Sequence, residues 1–431
     1  MKQIDPENEG CGGALEQSFQ VIYDAIESKS LELRDINRKI FDNPELGYAE
    51  FKAHDNIVVF LQSMGFAVTP HAYGLATSFR AEFGSGGRVV AFNAEYDALP
   101  EIGHACGHNL IATASIAAFI GLAAMLRGTN LPGRVRLIGT PAEEGGGGKL
   151  LLIDAGAYKD VDACLMVHPT PPWPQVPAGT IQTTGSAYGT TNANVKFNVS
   201  FIGKPAHAAV APYEGVNALD AVVLSYNAVS MLRQQTRPSD RIHSVILEGG
   251  QRPNVITAST KSQYYVRSAS LKSARALKER VKNCLDGAAL ATGCKVEYEL
   301  INEYADVRCN KTLSRLYTTA MANLSSPVDC DFDNPTVIAG STDQGNVSYA
   351  CPSIHAMFGI RCPPGVANHT PGFTACAGTD ESHDRAVITG KAMAVAAWNV
   401  LVDDEDASNV RKDFERDILL ERWDPENFDW L

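Results

Sequence analysis

The stretch Ala193-Asn194-Val195-Lys196-Phe197-Asn198-Val199-Ser200-Phe201 alternates strictly between apolar and polar residues. Ala193, Val195, Phe197, Val199 and Phe201 fall on one face, with Asn194, Lys196, Asn198 and Ser200 on the other. A period of two predicts a strand with one wet face, as in an antiparallel sheet. Downstream, apolar spacing predicts a helix over 215–234, strands over 241–248 and 259–267, a helix over 271–291 and a strand over 295–301. The order βαββαβ is the ferredoxin-like split unit. On both sides the texture is different. Residues 88–95 form an apolar run holding Val89, Val90 and Phe92, residues 110–126 a helix that is apolar almost all round, and 135–138 and 163–167 short apolar strands. Strands near Val337 and Ile354 and a helix over 384–401 resume that pattern after the insert. Such alternation predicts an α/β domain whose central, mostly parallel sheet is flanked by helices. That domain comprises residues 1–191 and 306–431, interrupted by the ferredoxin-like insert at 192–305. Upstream, one helix is predicted over 15–40 (Phe19, Ile22 and Ile26 on one stripe) and another over 51–64, ending at Gly65.

Composition narrows the function classes. The 431 residues include 37 Lys plus Arg against 49 Asp plus Glu, a net charge of −12. No basic cluster is available to neutralise phosphates, so nucleic acid is excluded as a partner. The longest apolar run, 110–126, falls short of the ~20 residues of a membrane span and contains Thr113 and Ser115, so no membrane partner is expected. Met1 to Gly13 is polar and acidic, unlike a secretory or transit leader. The ten cysteines are scattered singly; Cys164, Cys284, Cys294, Cys309, Cys330, Cys351 and Cys376 read as small buried hydrophobes rather than a disulfide framework. Asn368-His369-Thr370 is a glycosylation acceptor pattern beside a histidine of interest. A cytoplasmic location is expected.

Chemistry-bearing residues gather at the ends of the predicted strands. Asp97 follows the first, and His104-Ala105-Cys106-Gly107-His108 leads into the buried helix. A thiolate and an imidazole two residues apart can converge from a turn on zinc or its neighbours. Pro141-Ala142-Glu143-Glu144 precedes a run of four glycines. Adjacent strand residues face opposite ways, so both carboxylates can serve one site only where the strand has ended. His168 closes 163–167 and His369 lies in a loop after 354–359. Each alone reads as an ordinary surface or core histidine. Together they stand where open α/β sheets place their sites. In the insert, His207 follows the alternating strand, Asn254 lies in Arg252-Pro253-Asn254-Val255-Ile256, and Arg267 ends a strand. His54, His71, His243 and His383 lack such company and read as structural or solvated.

Asp97-Ala98-Leu99-Pro100, His104 to His108, Pro141 to Gly145, Gly203 to His207 and Arg252 to Ile256 resemble, in this order, the aminoacylase, carboxypeptidase-G and auxin-conjugate amidohydrolase family, the twentieth family of metallopeptidases. The resemblance covers roughly residues 31–400. Asn109-Leu110, Gly340-Ser341-Thr342-Asp343 and Asn368-His369-Thr370 look closer to its branch cleaving β-alanyl and related dipeptides. It implies two divalent transition-metal ions, zinc first, manganese or cobalt as alternatives, held by Cys106, His108, Glu144, His168 and His369. Glu143 then looks like the general base for metal-activated water, with Asp97 behind the ligands. His207 and Asn254 look like stabilisers of the tetrahedral intermediate, and Arg267 like the receiver of a substrate carboxylate. The implied activity is amide hydrolysis in a dipeptide or N-acyl amino acid. The insert would be a lid that pairs two chains into a homodimer and sends His207 into the partner's site. An amide-forming acyltransferase and an inactive binding or dimerisation module are the alternatives.

Overall fold

In the computed structural model, which describes residues 19–129, 131–172 and 183–422, four parallel strands make the middle of the larger sheet. Val89–Ala94 lies between Gly133–Gly139 and Ala163–Thr170, and Ser353–Gly359 lies beyond the latter. Val89–Ala94 is buried along its whole length, which is why it reads as an apolar run and not as an alternation. Strand order reverses beside it, and all four strands end on the same edge. The expectation of a mostly parallel sheet holds for this centre and is corrected at both margins. Phe79–Ser85 joins antiparallel to Gly133–Gly139, Ala67–Pro70 joins antiparallel outside it, and Gly185–Ser186 pairs antiparallel with Ser353–Gly359. The seven-stranded sheet is therefore mixed.

His108–Gly128 is covered on nearly every side, with 18 of its 21 residues buried. It packs against Asp380–Val402. Gly390 permits that close approach, since a Cβ there would fall 2.6 Å from the Ala114 carbonyl oxygen. Both helices are long and apolar enough to cross a membrane, yet here they build the core. The single helix expected over 15–40 is two: residues 19–27 are helical, a turn at Ser28 and Lys29 intervenes, and Ser30–Phe41 follows. Residues 15–18 lie outside the described residues.

The chain divides into two compact units. The second holds Thr191–Val307 together with Ile338–Gly345. Its four strands run in the order Lys295–Tyr304, Ala193–Ile202, Ser259–Ser268, Arg241–Glu248, all antiparallel. Helices Ala218–Leu232 and Leu271–Thr292 cover the face carrying Val195, Phe197, Val199 and Phe201. Asn217 caps the first helix, and a Ser270–Ser273 capping box starts the second. This is the βαββαβ arrangement read from sequence. Ile338–Gly345 differs from the expected 192–305 span, and it is tied in by the Asn192 N–H to the Gly340 carbonyl at 2.9 Å. The polar face of the alternating strand, which is central in this sheet, is wet over only part of its length: Asn198 and Ser200 are partly exposed, but Asn194 and Lys196 are buried. The Lys196 ammonium sits 4.0 Å from the Tyr304 ring centre, so the apolar part of a neighbour covers it.

Candidate metal centre

The shared edge of the parallel strands gathers the chemistry. Gly107 adopts φ +78° as the residue before helix His108–Gly128, and a Cβ there would sit 2.5 Å from Pro169 Cγ. Only glycine suits both demands. The turn brings Cys106 Sγ to 3.3 Å from His168 Nε2. Behind it, Asp97 is wholly buried and grips two elements at once: Oδ1 lies 3.0 Å from His108 Nδ1, and Oδ2 accepts the Glu144 N–H at 2.9 Å. Beside a carboxylate, His108 Nδ1 carries a proton and Nε2 faces the centre. Burial would lower this imidazole, but Asp97 more than offsets it and holds it well above its ordinary value, so a metal ion at Nε2 would take the place of the second ring proton.

Glu143 and Glu144 lie in a turn after Gly133–Gly139. Ala142 there takes φ +60°, an uncommon conformation for a residue with a Cβ. It is held from both sides, its N–H donating to Glu50 Oε1 at 2.8 Å and its carbonyl accepting from Gly147. Glu144 Oε1 lies 3.3 Å from His369 Nε2 and 4.0 Å from His108 Nε2, and Glu143 Oε2 lies 3.9 Å from His108 Nε2. His369, at φ +64°, is anchored by its N–H on the Ala105 carbonyl. The ligand-type atoms converge as Cys106, His108 and His168, and as Cys106, Glu144 and His369, each set within 4.8 Å.

All five expected ligands, with Glu143 and Asp97, thus meet in the first unit. His207, Asn254 and Arg267 belong to the second. There the loops of His207 and Asn254 are neighbours, the Ala208 N–H donating to the Asn254 carbonyl at 3.1 Å. His207 Nδ1 accepts the N–H groups of Ala209 and Val210, each at 3.3 Å. In the neutral ring this leaves the proton on Nε2 as a free donor. Arg267 Nη1 donates to Ser341 Oγ at 2.8 Å.

The donor set suits divalent metal. His108 Nε2 and Glu144 Oε1 are buried and make no well-formed hydrogen bond among the described residues, their nearest polar atoms being Glu95 Oε2 at 3.4 Å and His369 Nε2 at 3.3 Å, an arrangement that a cation between the groups would satisfy. Sulfur, imidazole and carboxylate together are the ligands of zinc and its neighbours. Burial pushes the His168 imidazole down to about 4, and nearby His108 adds to the effect, so the ring is neutral and able to bind metal. Burial raises the Cys106 thiol, with Glu144 adding to it, so its thiolate needs a cation. Burial would raise Asp97 too, but His108 more than offsets it and its carboxyl stays below its ordinary value.

Three residues escaped the sequence reading. Glu95 is fully buried and forms a further triple with His108 and Glu143. Its signal was the polar period Asn93, Glu95, Asp97 on one face of an apolar strand. His355 lies within Ser353–Gly359 with its ring 5.5 Å from that of His168, buried, with neither nitrogen hydrogen-bonded among the described residues. Glu50 is the third. Burial, then Asp97, raises its carboxyl to about 7. Between its ordinary 4.5 and about 7, the folded chain keeps a proton that the unfolded chain releases. Stability is therefore lost as pH climbs through that window and levels off above it. Glu50→Gln should remove this slope, gaining on the order of 3 kcal/mol over wild type between pH 5 and 8 in urea unfolding of metal-free protein. Parallel stability curves for the two proteins would show that Glu50 is ionised in the fold.

The comparisons with known proteins agree with the geometry. The sequence profile of peptidase family M20/M25/M40 matches residues 91–387. The chain is 40% identical to the Xaa-Arg dipeptidase of Mus musculus, over 90% of each chain. It is 33% identical to one of the subunits of the p-aminobenzoyl-glutamate hydrolase of Escherichia coli, over 73% of this chain and 66% of the other. In fold it resembles a dinuclear metal-binding peptidase of Bacillus subtilis, with a TM-score of 0.62 at 20% identity, covering 87% of this chain and 99% of the other.

Proposed function

Because the chain belongs to peptidase family M20/M25/M40 and is a metal-dependent hydrolase of amide bonds in dipeptides or acyl amino acids, we propose that it works with two ions on dipeptides ending in a basic residue. The observation that carries the two-ion reading is the pair of ligand sets sharing Cys106. The relatives named Xaa-Arg dipeptidase support the substrate choice. When bound, such ions supply Lewis acidity to the scissile carbonyl and lower the pKa of the attacking water. The chain's own residues do the rest. Glu143 takes a proton from water and returns it to the leaving amine. His207, with its proton on Nε2, donates to the oxyanion beside Asn254, and Arg267 receives the substrate carboxylate. Asp97 holds His108 in the tautomer that ligates.

We further propose a homodimer paired through the second unit. Among the described residues, its strand Arg241–Glu248 hydrogen-bonds to only one neighbouring strand, and Val245, Ile246 and Leu247 on it are exposed. Helix Ala218–Leu232 in the same unit exposes Val223, Leu224, Tyr226 and Met231. An uncovered edge and apolar faces of this size favour a second copy. Zinc as the native ion and a cytoplasmic location complete the proposal; the nine described cysteines are all free, as a reducing compartment permits.

The deciding experiment is a screen of dipeptides and N-acyl amino acids with product masses read out. Xaa-Arg and Xaa-Lys should be cleaved fastest. A fully metallated protein with no turnover would favour the binding module, and products joined rather than split would favour the acyltransferase.

A further inference from the structure

Glu95 follows the buried strand Val89–Ala94 and is itself fully buried. Its two carboxylate oxygens meet different surroundings. Oε1 accepts from Lys149 Nζ at 2.5 Å, and Lys149, on the first turn of helix Gly148–Asp154, is also fully buried. Among the described residues Oε2 has no hydrogen-bond partner, and it lies 3.4 Å from His108 Nε2, which has none either. With one His108 proton on Nδ1 toward Asp97, Nε2 and Oε2 face each other across 3.4 Å in a dry interior, and a second ring proton or a metal ion is what can hold them together. Without either, the contact is repulsive. Nitrogen and oxygen ligands at the usual zinc distances, tetrahedrally disposed, stand about 3.3–3.4 Å apart. The His108–Glu95 spacing has this bite, as does the 3.3 Å spacing of His369 and Glu144.

We propose that Glu95 is a further metal ligand, sharing through Oε2 the ion held by His108, and that Lys149 is the positioning residue that pins Oε1 and turns Oε2 inward. The charge balance agrees. Two divalent ions and Lys149 carry five positive charges, against five negative ones on the Cys106 thiolate, Glu95, Asp97, Glu143 and Glu144. The buried contact with Lys149 fixes the Glu95 carboxylate in place without metal, so the ligand's position is preformed. The inference rests on the two-ion reading given above.

The test uses the full chain reconstituted with Co²⁺, with ion number and affinity from chelator competition and ligand geometry from the visible d–d bands. Wild type should take two ions. Glu95→Gln keeps the shape of the side chain but weakens it as a ligand. It should bind one of the two ions at least tenfold less tightly, with d–d bands shifted in position and intensity at saturating Co²⁺. Glu95→Gln/Lys149→Met, which removes both buried charges together, should show the same loss and guards against a variant that fails to fold. Wild-type affinity and wild-type bands in both variants would overturn the proposal. So would weakened affinity with unchanged bands at saturation, because Glu95 would then act only through its neighbours. If wild type itself binds no ion, the two-ion reading fails, and that outcome is distinct from the others.

Discussion

Glu143→Gln is expected to lower turnover by roughly 10²–10⁴-fold while the protein keeps its full metal content, the usual worth of a general base. The neighbouring change, Glu144→Gln, should cost metal as well as activity, like chelation of the wild type. The two carboxylates are adjacent in sequence and occupy one turn, yet their surroundings differ. Glu144 Oε1 is paired with His369 and its backbone N–H is fixed by Asp97. Burial would raise the Glu144 carboxyl, but His369 and His108 outweigh it, so the group stays charged and ready to ligate. Glu143 belongs to no set with Cys106 among the described residues, and its Oε2 stands 3.9 Å from His108 Nε2. A gap of that size leaves room for a ligand or water beside the ring. Elemental analysis of both variants separates the roles. Equal metal loss in both would mean that the two assignments are exchanged or that neither holds.

The parts of this centre that were legible in sequence are those whose geometry is local. Cys106 and His108 are joined by a glycine that must be left-handed, and the Glu143–Glu144 pair is followed by glycines that free it from strand geometry. Both signatures are written within five residues. Glu95 and His355 are written differently, as single polar residues inside strands whose burial is set by distant helices. Their company, Lys149 for one and His168 for the other, comes from other strands and helices. The same limit explains the sheet corrections. Alternation in Ala193–Ile202 specified which face meets the helices, and that held. It could not specify that two neighbours would flank the strand or that Asn194 and Lys196 would be covered, because the pairing partners are distant in sequence, Asn194 facing Arg267 on one side and Tyr304 on the other. Phe79–Ser85 and Ala67–Pro70 were overlooked because short, half-exposed marginal strands carry too little apolar pattern to stand out.

Mixing two inactive variants should restore activity if one catalytic centre draws on two chains. Glu143→Ala and His207→Ala homodimers are each expected to be nearly inactive, the first without its base and the second without its oxyanion donor. The two residues belong to different units of the chain, and His207 shares its unit with the uncovered strand Arg241–Glu248 proposed to pair with a second copy. After subunit exchange, about half of the dimers should be mixed. In a mixed dimer, one centre has an intact Glu143 from one chain and an intact His207 from the other, while the second centre lacks both. Recovery should therefore approach about a quarter of wild-type activity, and no more. Exchange is verified independently, with differently tagged chains recovered in one dimer. Were His207 to serve its own chain's centre, every site in the mixed dimer would lack one residue or the other, and activity would stay at the level of the parents. With Arg267 proposed to receive the substrate carboxylate, Arg267→Ala in place of His207→Ala, mixed in the same way with Glu143→Ala, asks whether that residue too is supplied by the second chain.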